Sequence, residues 1–424
     1  MIPLTYTCIL ISFNNDFGYS DRYGDFPAAQ DMYDKCLSKR GEILGFDHLE
    51  CAESYMDLGR TLFSRGLYDE STDRYLNALH IRESLLGVNH LDTARTYFHI
   101  GRLLQEMGDI NGALTRMQKC REIQERVLGE YDRETAVTCS YIGLLLGETV
   151  TDGAYEQVLQ PAQQGLQLAQ SARRILEDIL EADVGPGHPD TAFSLYVIAV
   201  CLKDSNVNEA LSMAVRCRVD QTKALGDKHS SLARTHMLLG ELFRLKGRHD
   251  ESKECFEQAL EIHESTHPDN HIIIARTCAH LSVAAFSLGQ NKEAREMHGK
   301  VLSSLRNSGG TLNQPLVLIY TGAGEEYFNG QDYDAAVILF RQGLDVMVAM
   351  IGSHHPDLIQ GYDAIGLALY NKGDPAGALQ EYRRSLALKK EYWREDEVAQ
   401  ATSFINRMAT QWVAQQQDLH PYAQ

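Results

Sequence analysis

His48-Leu-Glu-Cys-Ala52 and His90-Leu-Asp-Thr-Ala94 are one opening written twice, 42 residues apart. Beyond each opening the landmarks stay in phase: Gly59 with Gly101, Gly66 with Gly108, Tyr75 with Met117, and Leu86-Gly87 with Leu128-Gly129. Self-similarity at a fixed period of this size marks a repeat architecture. Within the unit, Tyr55, Leu58, Leu62 and Phe63 recur at the three- and four-residue spacing of one helical stripe. Gly66 breaks that helix, and a second stripe runs through Tyr68, Tyr75, Ala78, Leu79 and Ile81. Leu86-Gly87 ends it, because glycine accepts the left-handed conformation that closes a helix. Each unit therefore predicts two helices, with the small residue at 59 and 101 letting one helix approach its neighbour's backbone. One pair cannot bury both stripes, so copies must stack.

The register extends along the chain. Openings recur at Asp132, His188, His229, His271, Asn313 and His355, with small residues at Gly143, Ala199, Gly240, Ser282, Gly324 and Gly366. The second helices share Ala210, Ser252, Ala294, Ala336 and Ala378. The expected organisation is an array of about eight helix-pair repeats over residues 24–396. The 56-residue step from Asp132 to His188 places a helical insertion near 149–181, helical from about Tyr155. At the start, Gly24-Asp-Phe26 with Tyr33 and Cys36 predicts the second helix of a first repeat from about Phe26 to Leu44. Residues 1–23 carry Asn14, Asp16, Ser20 and Asp21 where apolar or small residues belong, so they are a degenerate first helix or a mis-assigned start. A last helix at 397–416 has no partner and is expected to cap the stack, and 417–424 is expected to be a disordered tail.

The chain has 424 residues with a formal charge of −18. That balance repels phosphate backbones, which argues against nucleic-acid binding and leaves basic partner surfaces open. Nine cysteines are scattered without a Cys-x-x-Cys pair, as free thiols in a reducing compartment would be. No run reaches the roughly 18 apolar residues of a membrane helix. Met1–Phe13 is apolar but lacks a basic leader and a small-residue cleavage site, so no membrane insertion and a cytoplasmic location are expected.

No constellation supports catalysis, a cofactor or a metal. The phase-locked His48, His90, His188, His229, His271 and His355 sit where a first helix begins and are expected to cap or precede it. His263, His267 and His271 have ligand spacing, but Pro268 should end the helix between them. Gly322-Ala-Gly324 has no preceding strand and is the in-phase packing position, not a dinucleotide loop.

These openings, of which Ile351-Gly-Ser-His-His-Pro-Asp357 is the fullest, resemble the tetratricopeptide repeat in its 42-residue kinesin light chain and nephrocystin-like form. The small residue eleven on, the glycine of the inter-helix turn and the Ala-x3-aromatic run of the second helix complete the resemblance. It implies an all-α, right-handed superhelical solenoid of antiparallel helix pairs, whose first helices line a concave face. It also implies a non-catalytic scaffold or adaptor that takes a partner peptide or helix, with a kinesin heavy chain or a cargo as the specific partner. No heptad coiled coil is seen ahead of the repeats. The paired asparagines of the kinesin light chain groove are replaced by Met56-Asp57, Phe98-His99, Ser140-Tyr141, Tyr196-Val197 and Met237-Leu238, so those clamping residues are not carried over. The alternative is a regulatory or sensor repeat segment of a larger multidomain protein.

In the family geometry, the positions five, eight, twelve and fifteen beyond an opening face the groove. Here they give Met56, Arg60, Phe63, Arg95, Phe98, Arg102 and Gln105 as one group. A second holds Arg234, Met237, Arg244, Arg276 and Phe286. Guanidinium groups among apolar side chains suit a peptide carrying acidic and hydrophobic residues. The competing expectation is that the arginines pair with acids such as Glu53, Glu241 or Glu325 and keep the groove solvated.

Overall fold

The computed structural model describes residues 26–148, 155–180, 188–266, 271–307 and 314–419. The expectations for 1–23, for the ends of the 149–181 insertion, for the Asn313 opening, for His267 and for the last residues of the tail fall outside these. By contacts the chain divides into two compact units, Met1–Thr277 and Cys278–Gln424.

All the regular structure among the described residues is helical, as the repeat pattern requires. A lone second helix, α1 (Phe26–Leu44), comes first. Three helix pairs come next: α2 (Leu49–Ser64) with α3 (Tyr68–Leu86), α4 (Leu91–Met107) with α5 (Ile110–Val127), and α6 (Arg133–Gly147) with the elongated α7 (Tyr155–Leu180). Then come α8 (Pro189–Leu202) with α9 (Val207–Leu225), α10 (Ser230–Leu245) with α11 (His249–Thr266), and α12 (His271–Ser287) with α13 (Asn291–Asn307). The series ends with α14 (Gln314–Asn329) and α15 (Tyr333–Ile351), α16 (Leu358–Lys372) and α17 (Pro375–Tyr392), and α18 (Glu395–Leu419). The fold is an all-α tetratricopeptide-repeat solenoid of antiparallel helix pairs.

Two different caps start the two kinds of helix. At first helices, the Nδ1 of His48, His90, His188 and His229 accepts from the backbone N–H two residues on at 3.1–3.2 Å, and Asp132 does the same at 2.8 Å. The recurrent histidine is thus a capping residue, satisfying a donor that the helix leaves unpaired. At second helices, Asp109, Asn206, Asp332 and Asp374 accept from the N–H three residues on.

The small position makes room for a ring more often than for a neighbouring backbone. A Cβ at Gly59 would stand 2.5 Å from the Tyr75 ring, one at Gly240 2.5 Å from Phe256, and one at Gly324 2.6 Å from Phe340. At Gly143 a neighbouring backbone does come close: a Cβ there would lie 2.8 Å from the carbonyl of Gly165 on α7. A serine on the facing helix ties the same spot, with Ser71 Oγ donating to Gly59 O at 2.8 Å and Ser252 Oγ to Gly240 O at 2.7 Å. In the second unit the roles are exchanged, and Ser282 Oγ donates to Ala294 O at 2.8 Å.

Successive repeats are joined by a buried polar link. Arg40 donates to Ser54 Oγ at 2.7 Å, Arg82 to Thr96 Oγ1 at 2.9 Å, Thr235 to Gln221 at 2.7 Å, and His263 Nδ1 lies 3.0 Å from Thr277 Oγ1, each pair 14 residues apart. These groups are buried between helix layers, where each needs a partner. In the second unit, Ile405 and Met408 of α18 join the cluster of Leu379 and Tyr382, covering the apolar face of the last pair.

Candidate peptide groove of the first unit

Side chains from the first helices of neighbouring repeats meet one another, and more than one position on a helix contributes to a continuous row. In the first unit that row is a ladder of aromatic rings and guanidinium groups. The Arg102 guanidinium carbon is 5.4 Å from the centroid of Phe63 and 5.6 Å from that of Tyr141. Phe98 meets Tyr141 edge-on at 5.0 Å, Tyr141 lies 4.6 Å from Phe193, and Phe193 stacks on Tyr196 at 6.0 Å. Arg234 closes the row 5.5 Å from the Tyr196 ring. All of these side chains are half-buried. Cations held over aromatic faces are attracted by the ring quadrupole, most strongly where water is partly excluded.

Charged groups gather at the ends of α4, α6 and α8. Arg276 Nη2 on α12 donates to Glu106 Oε2 on α4 at 3.1 Å, a contact between residues 170 apart in sequence. Burial pushes the Glu106 carboxyl up, but Arg276, Arg234 and Arg102 together outweigh it and hold the group below the usual carboxylate range. Glu148, just past α6, accepts from Gln105 Nε2 at 2.7 Å. Its burial dominates and raises its pKa. Lys203 lies 3.5 Å from Glu241, whose charge raises the lysine pKa. Burial pushes the Tyr196 hydroxyl up to about 12. For Arg234 burial disfavours the charge, yet Tyr196, Tyr141, Glu106 and Glu148 more than offset it, and the guanidinium stays firmly protonated.

The residues expected from the sequence are distributed unevenly over this surface. Phe63, Phe98, Arg102, Gln105, Arg234 and Arg276 belong to the ladder or its charged end. Arg60 is exposed and bonds Asp57 on its own helix. Arg95 is exposed at the rim, 3.0 Å from Asp92 and 2.7 Å from Glu134. Met56 is only 6% exposed and sits in the core cluster with Tyr75 and Leu79, behind the wall. Met237 packs on Leu232, Ala259 and Ile262. Arg244 is half-buried in the last turn of α10. Phe286 falls in the second unit, where its ring meets Tyr327 edge-on at 5.9 Å. Glu53 pairs with Arg82 at 2.9 Å.

Three contributors escape the sequence reading although its own spacing rule reaches them. Phe193, Tyr196 and Lys203 stand five, eight and fifteen residues beyond His188. Glu106 and Glu148 each stand sixteen beyond their opening, but nothing periodic marks them as groove residues. Their role comes from how the first helices of this unit converge. The surface as a whole can hold an extended or helical peptide: rings and guanidinium planes stack on amides and apolar side chains, and arginine heads pair with carboxylates.

A tetratricopeptide repeat family model matches residues 52–126, 199–265 and 231–307. Repeats of this family are in general interaction scaffolds and not catalysts. No curated protein matches the chain. Among solved structures, the Rap protein complexed with competence and sporulation factor is 15% identical with a TM-score of 0.54, covering 92% of this chain and 99% of that one. The likeness is one of fold. The apo quorum sensor NprR from B. thuringiensis is 13% identical, with a TM-score of 0.49 over 92% of this chain and 99% of that one. Repeats of a putative kinesin light chain from Podosopora anserina are 15% identical, with a TM-score of 0.40 over 50% of this chain and 95% of that one. No helix among the described residues is long and apolar enough to cross a membrane.

Proposed function

We propose that these tetratricopeptide repeats form a protein–protein interaction scaffold whose first unit receives a partner peptide or helix along its inward first helices. The observation that carries this reading is Arg102 held between Phe63 and Tyr141 within a half-buried ladder that runs on to Arg234. The chemistry of that row selects a segment with apolar side chains for the rings and carboxylates for the guanidinium groups.

An adaptor of the kinesin light chain kind, linking a motor heavy chain or its cargo, is the most specific form of this proposal. The 42-residue period supports it, and the recognition would rest on the aromatic–arginine ladder in place of that family's asparagine pairs. The free thiols of Cys36, Cys51, Cys120, Cys139, Cys201, Cys217, Cys255 and Cys278 suit a cytoplasmic setting.

The test is to pan a phage-displayed random peptide library against the intact chain, then to measure the selected peptides on Arg102→Glu and Tyr196→Ala variants. Enrichment of acidic–apolar sequences that lose at least about tenfold in affinity on both variants supports the groove. Peptides that bind all three proteins equally would move the binding surface off the ladder and sink the proposal.

A further inference from the structure

We propose that Glu106 is a built-in occupant of a carboxylate site in the first unit, and that its bridge to Arg276 is a latch which an acidic partner segment must displace. The inference rests on the groove as the peptide site and adds a mechanism of entry to it.

The geometry has three parts. First, the bridge joins α4 to α12 through residues that are 170 apart in sequence. The same approach is seen in the core, where Ile272 of α12 packs into the cluster that includes Ala52, Tyr68 and Tyr97. Second, the pair is largely withdrawn from water, with 28% side-chain exposure for Arg276 and 17% for Glu106. Third, one carboxylate serves several cations, because Arg234 and Arg102 act on Glu106 along with Arg276. Arg102 and Arg234 in turn lie over rings of the ladder, so the charged end and the aromatic row are one surface. A half-buried guanidinium gains most from a bidentate acceptor, and Glu106 supplies one oxygen to Arg276.

A partner carboxylate entering beside the ladder meets the same arginines and competes with Glu106 for them. Binding and opening are then linked: the ligand favours the state in which Glu106 has been released, and anything that weakens the bridge lowers the cost of that release. Removing the charge of Glu106 and removing the charge of Arg276 both break the latch, yet they act oppositely on an acidic ligand. The first removes a competitor; the second removes a binding group.

The experiment uses the full chain and a fluorescein-labelled peptide of alternating glutamate and leucine, with Glu106→Gln and Arg276→Gln beside the wild type. Glu106→Gln is expected to bind about tenfold more tightly and Arg276→Gln about tenfold more weakly, within the usual range of coupling between linked events. Hydrogen exchange in Leu91–Met107 and His271–Ser287 should rise in both variants relative to the wild type. Equal or weaker binding by Glu106→Gln, with the peptide bound by the wild type, would overturn the latch and leave the groove standing. Binding by none of the three would overturn the groove reading as well. Exchange in Leu91–Met107 and His271–Ser287 that is unchanged in both variants would also rule the latch out.

Discussion

Arg82 on α3 donates a 2.9 Å hydrogen bond to the hydroxyl of Thr96 on α4, and Arg40 bonds Ser54 in the same way one repeat earlier. Arg82 also reaches Asp92 O at 3.0 Å and Glu53 at 2.9 Å, which satisfies most of a guanidinium that is 5% exposed. Helix packing between repeats is thus fixed by a polar contact inside an otherwise apolar layer. Thr96→Val keeps the shape and deletes the acceptor, so it should destabilise the first unit by about 1–3 kcal/mol. Urea denaturation checks this. The double variant Arg82→Met/Thr96→Val should cost less than the two single changes added together, because the partners belong to one network.

The glycine–ring contacts make a graded prediction. Gly59→Ala drives a methyl to 2.5 Å of the rigid Tyr75 ring, whereas Gly101→Ala meets the flexible end of Met117 at 3.0 Å. Gly59→Ala should therefore cost about 1–3 kcal/mol in chemical denaturation, with Gly101→Ala clearly milder. If the two are equal, or if Tyr75→Leu fails to rescue Gly59→Ala, ring crowding is not what the small position serves.

Spacing puts Arg95 and Arg102 in one group, yet they stand in different surroundings. Arg95 is an exposed rim residue bonded to Asp92 and Glu134, a pair of surface contacts worth at most about 1 kcal/mol. Arg95→Ala should leave both the thermal midpoint and the affinity for a selected groove peptide nearly unchanged, while Arg102→Ala weakens the peptide. Isothermal titration of both variants decides between them.

His99 is predicted to make the first unit acid-sensitive. Burial, together with the nearby Arg102, Arg60 and Arg82, lowers its pKa from 6.5 to about 3, and its ring stacks on Tyr75 at 5.8 Å. The folded chain therefore holds this imidazole neutral where the unfolded chain would protonate it. The associated stability is fully present above pH 6.5 and is lost progressively as pH falls toward 3. His236, lowered to about 4 by burial and by Arg218, acts in the same direction. The urea midpoint should fall between pH 7 and pH 5, and His99→Gln should flatten that slope. A slope unchanged by the substitution would assign the acid sensitivity to other groups.

Most of the helix ends are legible in the sequence, because caps and breakers act locally. His48, His90, Asp132, His188 and His229 start helices, and Gly66, Gly87 and Gly108 stop them, through bonds to backbone groups only a few residues away. The repeat itself is legible for the same reason: a stripe at helical spacing must be buried, and only a further copy can bury it. Position five or eight beyond an opening narrows the choice of groove residues without fixing it, since Met56 at position eight turns into the core. Phe98, Arg234 and Arg276 can be named from that spacing, and the same rule reaches Phe193 and Tyr196.

Which of these residues meet is not written in any local pattern. Packing sends Met56 behind the wall, leaves Arg95 at the rim, and lays Arg102 between two rings from different repeats. It also closes Arg276 on Glu106, since that distance depends on small rotations accumulated over the intervening repeats. Periodic, short-range features of this protein can be read from its residues one repeat at a time. Its groove chemistry cannot, because the pairing of distant side chains follows from the way helix pairs stack within the first unit, and no single repeat encodes that.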